Sequence, residues 1–376
     1  MLRILFVITE DWAFVSHRLH LAEYAIERGF KVAVLTRIGR YRELFESLGI
    51  KVFDWGLDRR SLSVLGGIKA ISQLYRVIQD FRPDVVHPVA LKPVIYTGIA
   101  SRLFFGGMVV SALGGVGYIF SSTQLFARIL RRPTCMILKF ALCGKRRNLI
   151  LQNADDVDLF VRAGIVGRHK INLIKGAGVE IDKFRMYPLP RDVKRVMLPA
   201  RMLWDKGVFE FVSVARRLTK VRPDVKFVLV GDVDEHNPNS IPKAAINDWV
   251  AEGCVEHWEG VQHDQMAEVY KMATIVCLPS YREGLPKALL EAASVGRPLV
   301  AFDVPGCREV VMHGINGELV PFGRVDLLAN SILSFIDDEE KTKQFGTSSR
   351  EIVRAEFASG VVNDQTCAVW LRGYRK

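Results

Sequence analysis

Short apolar runs alternate along the chain with longer stretches whose apolar residues recur every three or four positions. That alternation predicts strands followed by helices, the pattern of parallel α/β sheets. In the first half, "RILFVI" precedes a helical stretch from about Ser16 to Arg28, and "KVAVLT" precedes another near residues 40–48. "KVFDW", "DVVHPV", "VVSAL", "NLILQ" and "KINLIKGAGV" supply further strands. The proline-marked segment "FRMYPLPRDVK" reads as a linker, after which the rhythm restarts. Its strands are "RVMLPAR", "KFVLVGD", "CVEHWEGV", "IVCLPS" and "PLVAFD"; its helices are "GVFEFVSVARRLTKV", "MAEVYKMA" and a region from about 325.

A chain of 376 residues is long for one core and comfortable for two. The expected division is an amino-terminal Rossmann-like domain over 1–187 and a second over 188–355, with 356–376 a helix crossing back toward the first. Two such halves facing each other predict a deep cleft, with ligands at the carboxyl ends of the strands.

One stretch carries unusual chemistry. In "SYREGLPKALLEAASVGRP" two glutamates, Glu283 and Glu291, lie eight positions apart around a Gly-Leu-Pro corner. The strand upstream and the helical pattern of Leu289, Leu290, Ala293 and Val295 put Glu283 on a strand-to-helix loop and Glu291 about two turns into the helix. Just past another strand, "ARMLWDKG" holds Arg201 and Lys206. Two cations near the free backbone N–H groups of Gly284 and Leu285 suit a diphosphate. Glu291, inside the helix but facing the same cleft, suits the two hydroxyls of a ribose.

Taken together, in this order, these pieces resemble the retaining glycosyltransferases of the GT-B fold, family 4, whose mark is E-x7-E. The resemblance covers nearly the whole chain and includes the "HGINGELV" run at His313 to Val320. It implies that Arg201 and Lys206 hold the donor's diphosphate and steady the leaving group, that Glu291 binds the ribose, and that Glu283 contacts the transferred sugar. Gly284 and Leu285 then meet sugar and phosphate through their amides, and Val261 packs the nucleobase. Retention without an evident nucleophile implies front-face attack, the departing phosphate oxygen taking the acceptor's proton.

The first half departs from the family's broad pattern. No glycine-rich loop follows the first strand; "EDWAFVSHRLHLAEYA" puts His17 and Arg18 at the helix start instead. "VVSAL" runs into "GGVGYIF" without the histidine many members carry there. With "HPVALKPVIYTG", these segments are most similar to bacterial enzymes that extend undecaprenyl-diphosphate-linked sugars. That likeness implies a nucleotide-sugar donor, UDP-linked, and a polyprenyl-diphosphate-linked acceptor met by His17, Arg18, Lys92, Gly114, Gly115 and Gly117. The glycine cluster suits a tight turn equally well, and His87 suits a core position at a strand end.

Charge adds a partner. Residues 1–190 hold 28 Lys/Arg against 15 Asp/Glu, whereas 191–376 hold 24 against 26. No acid occurs between Asp84 and Asp155, a gap with nine bases. There Arg128, Arg131, Arg132, Lys139, Arg146 and Arg147 alternate with apolar residues, which suits an anionic membrane surface or a packed helix with a solvated basic face. Stacking aromatics are not interleaved with the arginines, so nucleic acid is not an expected partner.

Six cysteines without a CxxC pair fit a reducing cytosol, and "MLRILFVITEDW" reads as a first strand, not a leader. The expected location is the inner face of the cytoplasmic membrane, held peripherally. Asp232 and Asp234 in "GDVDE" form a D-x-D spacing that chelates metal in another glycosyltransferase fold. Arg201 and Lys206 already supply counter-charge, so neither metal nor cofactor is expected. Three other readings are a related sugar-nucleotide epimerase, a basic nucleic-acid-binding protein, and a dinucleotide dehydrogenase. The dehydrogenase lacks its G-x-G-x-x-G, since "VITEDWAF" has no glycine.

Overall fold

The computed structural model describes residues 1–57, 63–114, 125–235 and 237–374, apart from the side chains of 64, 125–130, 373 and 374. The chain divides into two compact units, Met1–Ala177 with Ser359–Lys376, and Gly178–Ala358.

The first unit is built on a seven-stranded parallel sheet in the order β3-β2-β1-β4-β5-β6-β7. Its strands are β1 (Arg3–Glu10), β2 (Lys31–Arg37), β3 (Lys51–Asp54), β4 (Val85–Pro88), β5 (Met108–Leu113), β6 (Arg147–Leu151) and β7 (Ile171–Leu173). Side chains alternate across a strand, so β1 feeds two cores. Ile4, Phe6 and Ile8 pack with Phe14, Leu21 and Ala25 of α1 (Asp11–Glu27), beside Phe45 of α2 (Arg42–Ser47). Leu5 and Val7 face the other way, toward Ala70, Leu74, Val77 and Ile78 of α3 (Val64–Phe81). On that side α4 (Leu91–Phe104) packs between α3 and α5 (Leu125–Leu142). Helix α6 (Ala154–Arg162) follows β6.

The second unit repeats the plan with six parallel strands in the order β10-β9-β8-β11-β12-β13. These are β8 (Lys194–Pro199), β9 (Val225–Val230), β10 (Glu256–Trp258), β11 (Ile275–Leu278), β12 (Leu299–Phe302) and β13 (Gly317–Val320). Its helices are α7 (Val208–Val221), α8 (Lys243–Ala251), α9 (Met266–Lys271), α10 (Lys287–Ser294), α11 (Pro305–Arg308), α12 (Val325–Asp337) and α13 (Glu339–Ile352). A last helix, α14 (Ser359–Tyr374), belongs to the first unit, where buried Trp370 meets Phe6 and His87 edge-on.

The observed division falls at Ala177/Gly178, before the proline-marked segment. Arg297 explains why. Its fully buried guanidinium donates to the carbonyls of Tyr187 and Pro188 as well as Tyr270 and Lys271. Arg350 likewise holds the carbonyls of Ile181 and Phe184. The prolines therefore lie pinned on the second unit and are not a free connector.

Candidate active site

In both sheets the strand order reverses direction at one point, between β1 and β4 in the first and between β8 and β11 in the second. Loops leaving two such neighbours diverge to opposite faces and open a crevice at their carboxyl ends. In the second unit the sequence candidates gather there. Arg201 follows β8, Lys206 ends a short 3-10 turn (Trp204–Lys206), and Glu283 sits on the loop between β11 and α10.

The loops are held close by backbone. Tyr281 N–H donates to the Asp205 carbonyl at 2.9 Å. Gly207, at φ 72°, has no room for a side chain, because a Cβ there would stand 1.9 Å from the Pro279 carbonyl oxygen. Gly306, on α11, is similarly jammed against the carbonyls of Glu283 and Gly284. The glutamate loop is therefore clamped from two sides.

Lys206 Nζ donates to Glu283 Oε1 at 2.7 Å, and both side chains are largely buried. Arg201 is half-exposed and reaches Asp234 Oδ2 at 2.9 Å. Asp232, the other half of the D-x-D pair, accepts the Gly260 N–H at 2.6 Å. Both carboxylates of that pair thus have partners inside the chain, an arginine and a backbone amide. Gly284 and Leu285 are half-buried on the same loop, and Val261, half-buried, packs against the core just after β10.

Glu291 is 4% exposed, on the second turn of α10. Its Oε1 lies 3.0 Å from His263 Nε2 and its Oε2 accepts the Tyr270 hydroxyl at 3.2 Å. Lys287, one turn earlier, brings its ammonium within 3.5 Å of Glu291 and 3.1 Å of His263. Burial, and then the neighbouring Glu291 charge, push the Tyr270 phenol well above its usual range, so it stays a neutral donor. His263, Tyr270 and Lys287 join Glu291 in this candidate site, and sequence reasoning missed them. Of these, only Lys287 carried a signal, its i,i+4 spacing to Glu291.

The "HGINGELV" run is structural. Buried Asn316 accepts the Met312 N–H at 2.7 Å and donates to the Val310 carbonyl at 3.0 Å, shaping the turn before β13.

The first unit corrects several expectations. Helix α1 begins at Asp11, so His17 and Arg18 lie about two turns inside it and not at its start. Arg18 is 5% exposed; its Nη1 donates to the His17 carbonyl at 3.1 Å while its Nε is unpartnered among the described residues. Burial pulls its pKa down to about 10. His87 is a core residue of β4; burial, then the Arg18 charge, hold it well below the usual range, so it is neutral. Arg147, expected at a membrane surface, is a buried residue of β6, and burial lowers its pKa. It cannot reach a bilayer. Arg132, Lys139 and Arg146 are exposed and Arg131 half-buried, whereas the Arg128 side chain lies outside the described residues.

Near the reversal point of this sheet, Lys92 sits half-buried in the first turn of α4. The preceding Ala90 holds φ 76° and ψ 165°, a backbone region that costs a non-glycine residue on the order of 1–3 kcal/mol. Gly114 follows β5 beside the Gln152 side chain, and Gly115 and Gly117 lie outside the described residues. No described helix is long and apolar enough to cross a membrane.

Two family models match this chain. Residues 180–352 match glycosyl transferases group 1, and residues 3–153 match glycosyl transferase 4-like. The chain belongs to the glycosyltransferases. It is 25% identical, over 86% of each chain, to a Campylobacter jejuni N,N'-diacetylbacillosaminyl-diphospho-undecaprenol alpha-1,3-N-acetylgalactosaminyltransferase. It is also 25% identical to an Escherichia coli UDP-Gal:alpha-D-GlcNAc-diphosphoundecaprenol alpha-1,3-galactosyltransferase, over 74% of this chain and 73% of that one. Among solved structures, a sucrose-phosphate synthase from Thermosynechococcus elongatus superposes over the full length of both chains with a TM-score of 0.84 at 18% identity. The Anabaena protein HepE in complex with UDP matches with a TM-score of 0.77 at 19% identity, over 98% of this chain and 99% of that one. The fold is GT-B: two Rossmann-like α/β domains, as the sequence resemblance implied.

Proposed function

We propose that this glycosyltransferase moves a hexose or N-acetylhexosamine from a UDP-sugar to a polyprenyl-diphosphate-linked saccharide, with retention of configuration. The observation that carries the reading is the meeting of Lys206 with Glu283 at the reversal point of the second sheet, with Arg201 on the loop after β8 and Glu291 on the helix that follows the glutamate loop. A lysine, an arginine and a clamped loop of backbone amides match a diphosphate, and Glu291 with its donors matches a ribose. The names of the two relatives, both acting on undecaprenyl-diphosphate-linked sugars, support the acceptor class.

In this reading, breaking the sugar–phosphate bond builds negative charge on the leaving phosphate. Fixed cations aimed at that charge act more strongly in the transition state than in the ground state. Lys206 turns from Glu283 toward the phosphate as the donor binds, and Arg201 leaves Asp234. The leaving oxygen then takes the acceptor's proton, so no separate base is required, and no metal.

The acceptor side belongs to the first unit. A buried Arg18 without a carboxylate partner among the described residues is costly alone, and an arriving diphosphate supplies the missing charge. His17, Lys92 and the backbone of Gly114, Gly115 and Gly117 complete that proposal. Peripheral attachment to an anionic inner-leaflet surface, through exposed Arg132, Lys139 and Arg146, raises the local acceptor concentration.

The test is a panel of UDP-sugars offered with an undecaprenyl-diphosphate-linked saccharide, read by UDP release and by the mass and anomeric configuration of the lipid-linked product. One UDP-sugar is expected to yield an elongated, α-linked product. UDP release that ignores the acceptor, or epimerised donor without UDP release, overturns the reading.

A further inference from the structure

At the amino-terminal edge of the first sheet, opposite the strand ends that carry the site, lies a cleft of about 540 Å³. Ile78, Gln79 and Arg82 from the end of α3, Asp84 before β4, Phe105 after α4, and Arg146 before β6 line it. Arg82 is exposed, and its side chain makes no hydrogen bond or ion pair among the described residues. Its backbone is left-handed, at φ 48° and ψ 61°, a helix-ending position where glycine is preferred. Arg146 is exposed as well, with Nη1 donating to the Gly106 carbonyl at 3.0 Å. One carboxylate opposes them: Asp84, whose Oδ2 already accepts the Arg3 N–H at 2.8 Å. The nearby Asp80 is paired with Lys51.

Apolar side chains of the same three helix ends stand exposed beside this charge. Leu103 is 67% exposed, Phe140 51% and Met136 73%. Phe104 meets the Tyr75 ring at 4.8 Å, joining α4 to α3. Arg102 lies over the Phe140 ring at 4.3 Å and donates to the Phe140 and Cys143 carbonyls, joining α4 to α5. Apolar rings interleaved with cations, and no acid on α4 or α5, are the chemistry of a bilayer interface.

We propose that this cleft binds the phosphate headgroup of an anionic glycerophospholipid between Arg82 and Arg146, with Leu103, Phe104 and Phe140 set into the acyl boundary beside it. The proposal rests on the membrane-attached reading above and relocates the contact. The decisive cations are the pair at the sheet edge, and α3 and α4 join α5 as membrane-facing elements. Charge complementarity selects the occupant, since the cleft is cationic and its rim apolar.

The experiment is flotation of the full-length protein with vesicles of phosphatidylcholine containing phosphatidylglycerol, compared with phosphatidylcholine alone. Arg82→Gly suits the left-handed backbone, so this variant keeps the fold while losing the guanidinium. Combined with Arg146→Gln, it is expected to lower partitioning onto phosphatidylglycerol vesicles by about tenfold or more. Leu103→Ser with Phe104→Ser is expected to lower binding at high salt, where charge is screened. Turnover of a short, water-soluble acceptor is expected to stay unchanged in all of them. Wild-type flotation that persists undiminished in the Arg82→Gly/Arg146→Gln variant overturns the cleft while leaving membrane attachment standing. Absence of wild-type flotation overturns both. Free glycerol phosphate binding the cleft as tightly as vesicles do, by calorimetry, overturns the lipid as occupant and makes it a soluble-anion site.

Discussion

Lys206 Nζ rests 2.7 Å from Glu283 Oε1, so the chief cation of the proposed donor site is held by the glutamate proposed to face the sugar. In the proposed reaction the pair stores a positive charge at the point where the leaving phosphate develops a negative one, and it keeps each buried partner neutralised until then. Lys206→Ala is expected to lower kcat by about 10²–10³-fold, the usual loss on removing one group that stabilises a transition-state charge. Steady-state kinetics with saturating donor checks this. An unchanged kcat with only a raised donor KM would assign Lys206 to ground-state binding instead.

Glu291 answers to a different measurement. In the proposed site its contacts belong to a part of the donor that does not react, so they would strengthen ground state and transition state alike. Glu291→Gln and Tyr270→Phe are each expected to raise donor KM, Tyr270→Phe by about 3–10-fold for one lost hydrogen bond, with kcat nearly constant. A large fall in kcat for either variant contradicts the ribose assignment.

The strand–loop–helix unit around Glu283 and Glu291 was legible because everything that positions it is local: a β-branched strand, a Gly-Leu-Pro corner and a helical apolar stripe. His263 and Tyr270 were not, because they reach Glu291 from 28 and 21 residues away, from the turn before α9 and from α9 itself, packed against α10. Helices α3 and α4 escaped the pattern for local reasons. Gly66 and Gly67 weaken the start of α3, and Pro93 interrupts the apparent periodicity of α4. Helix α1 starts five residues before the expected Ser16, since "MLRILFVITEDW" reads as one strand through Trp12. Arg147 looked like its exposed neighbours because a run of bases does not reveal where helix gives way to strand.

Metal dependence has a direct check. Asp232 is committed to the Gly260 N–H, and in the proposed site Lys206 and Arg201 supply the counter-charge once the donor draws Arg201 from Asp234. Activity is expected to survive EDTA within about twofold. Loss restored by Mn²⁺ or Mg²⁺ would move the diphosphate onto the two aspartates.

Arg297 is a stability residue by its geometry. It is fully buried, has no carboxylate within reach among the described ion pairs, and satisfies four backbone carbonyls. Arg297→Met fills much of the volume but leaves those acceptors unpaired, at roughly 1–3 kcal/mol for each that water cannot reach. Thermal denaturation is expected to show a loss on the order of 3 kcal/mol or more, with proteolysis opening first near Tyr187. A loss within experimental error would mean the proline segment is held without the arginine.

Asp156 makes the first unit's stability depend on pH. It is 7% exposed at the start of α6, where its N–H donates to Asn153 Oδ1 at 2.7 Å and its Oδ2 accepts from Asn153 Nδ2 at 3.0 Å. Burial, aided by the Asp155 charge and opposed by the Asn153 hydrogen bond, pushes its pKa up to about 6. Between the ordinary carboxylate value and that point, the folded chain holds a proton that the unfolded chain has released. Unfolding free energy therefore falls as pH rises through this window, by about 3 kcal/mol in all, and stays low above it. Asp156→Asn keeps the shape and its partner while removing the charge. The variant is expected to unfold at a higher temperature than the wild type at pH 7.5 and at nearly the same temperature at pH 4. Calorimetric scans at the two pH values measure the difference. An equal shift at both would tie the effect to packing, because a change in charge acts only where the wild-type carboxyl is ionised.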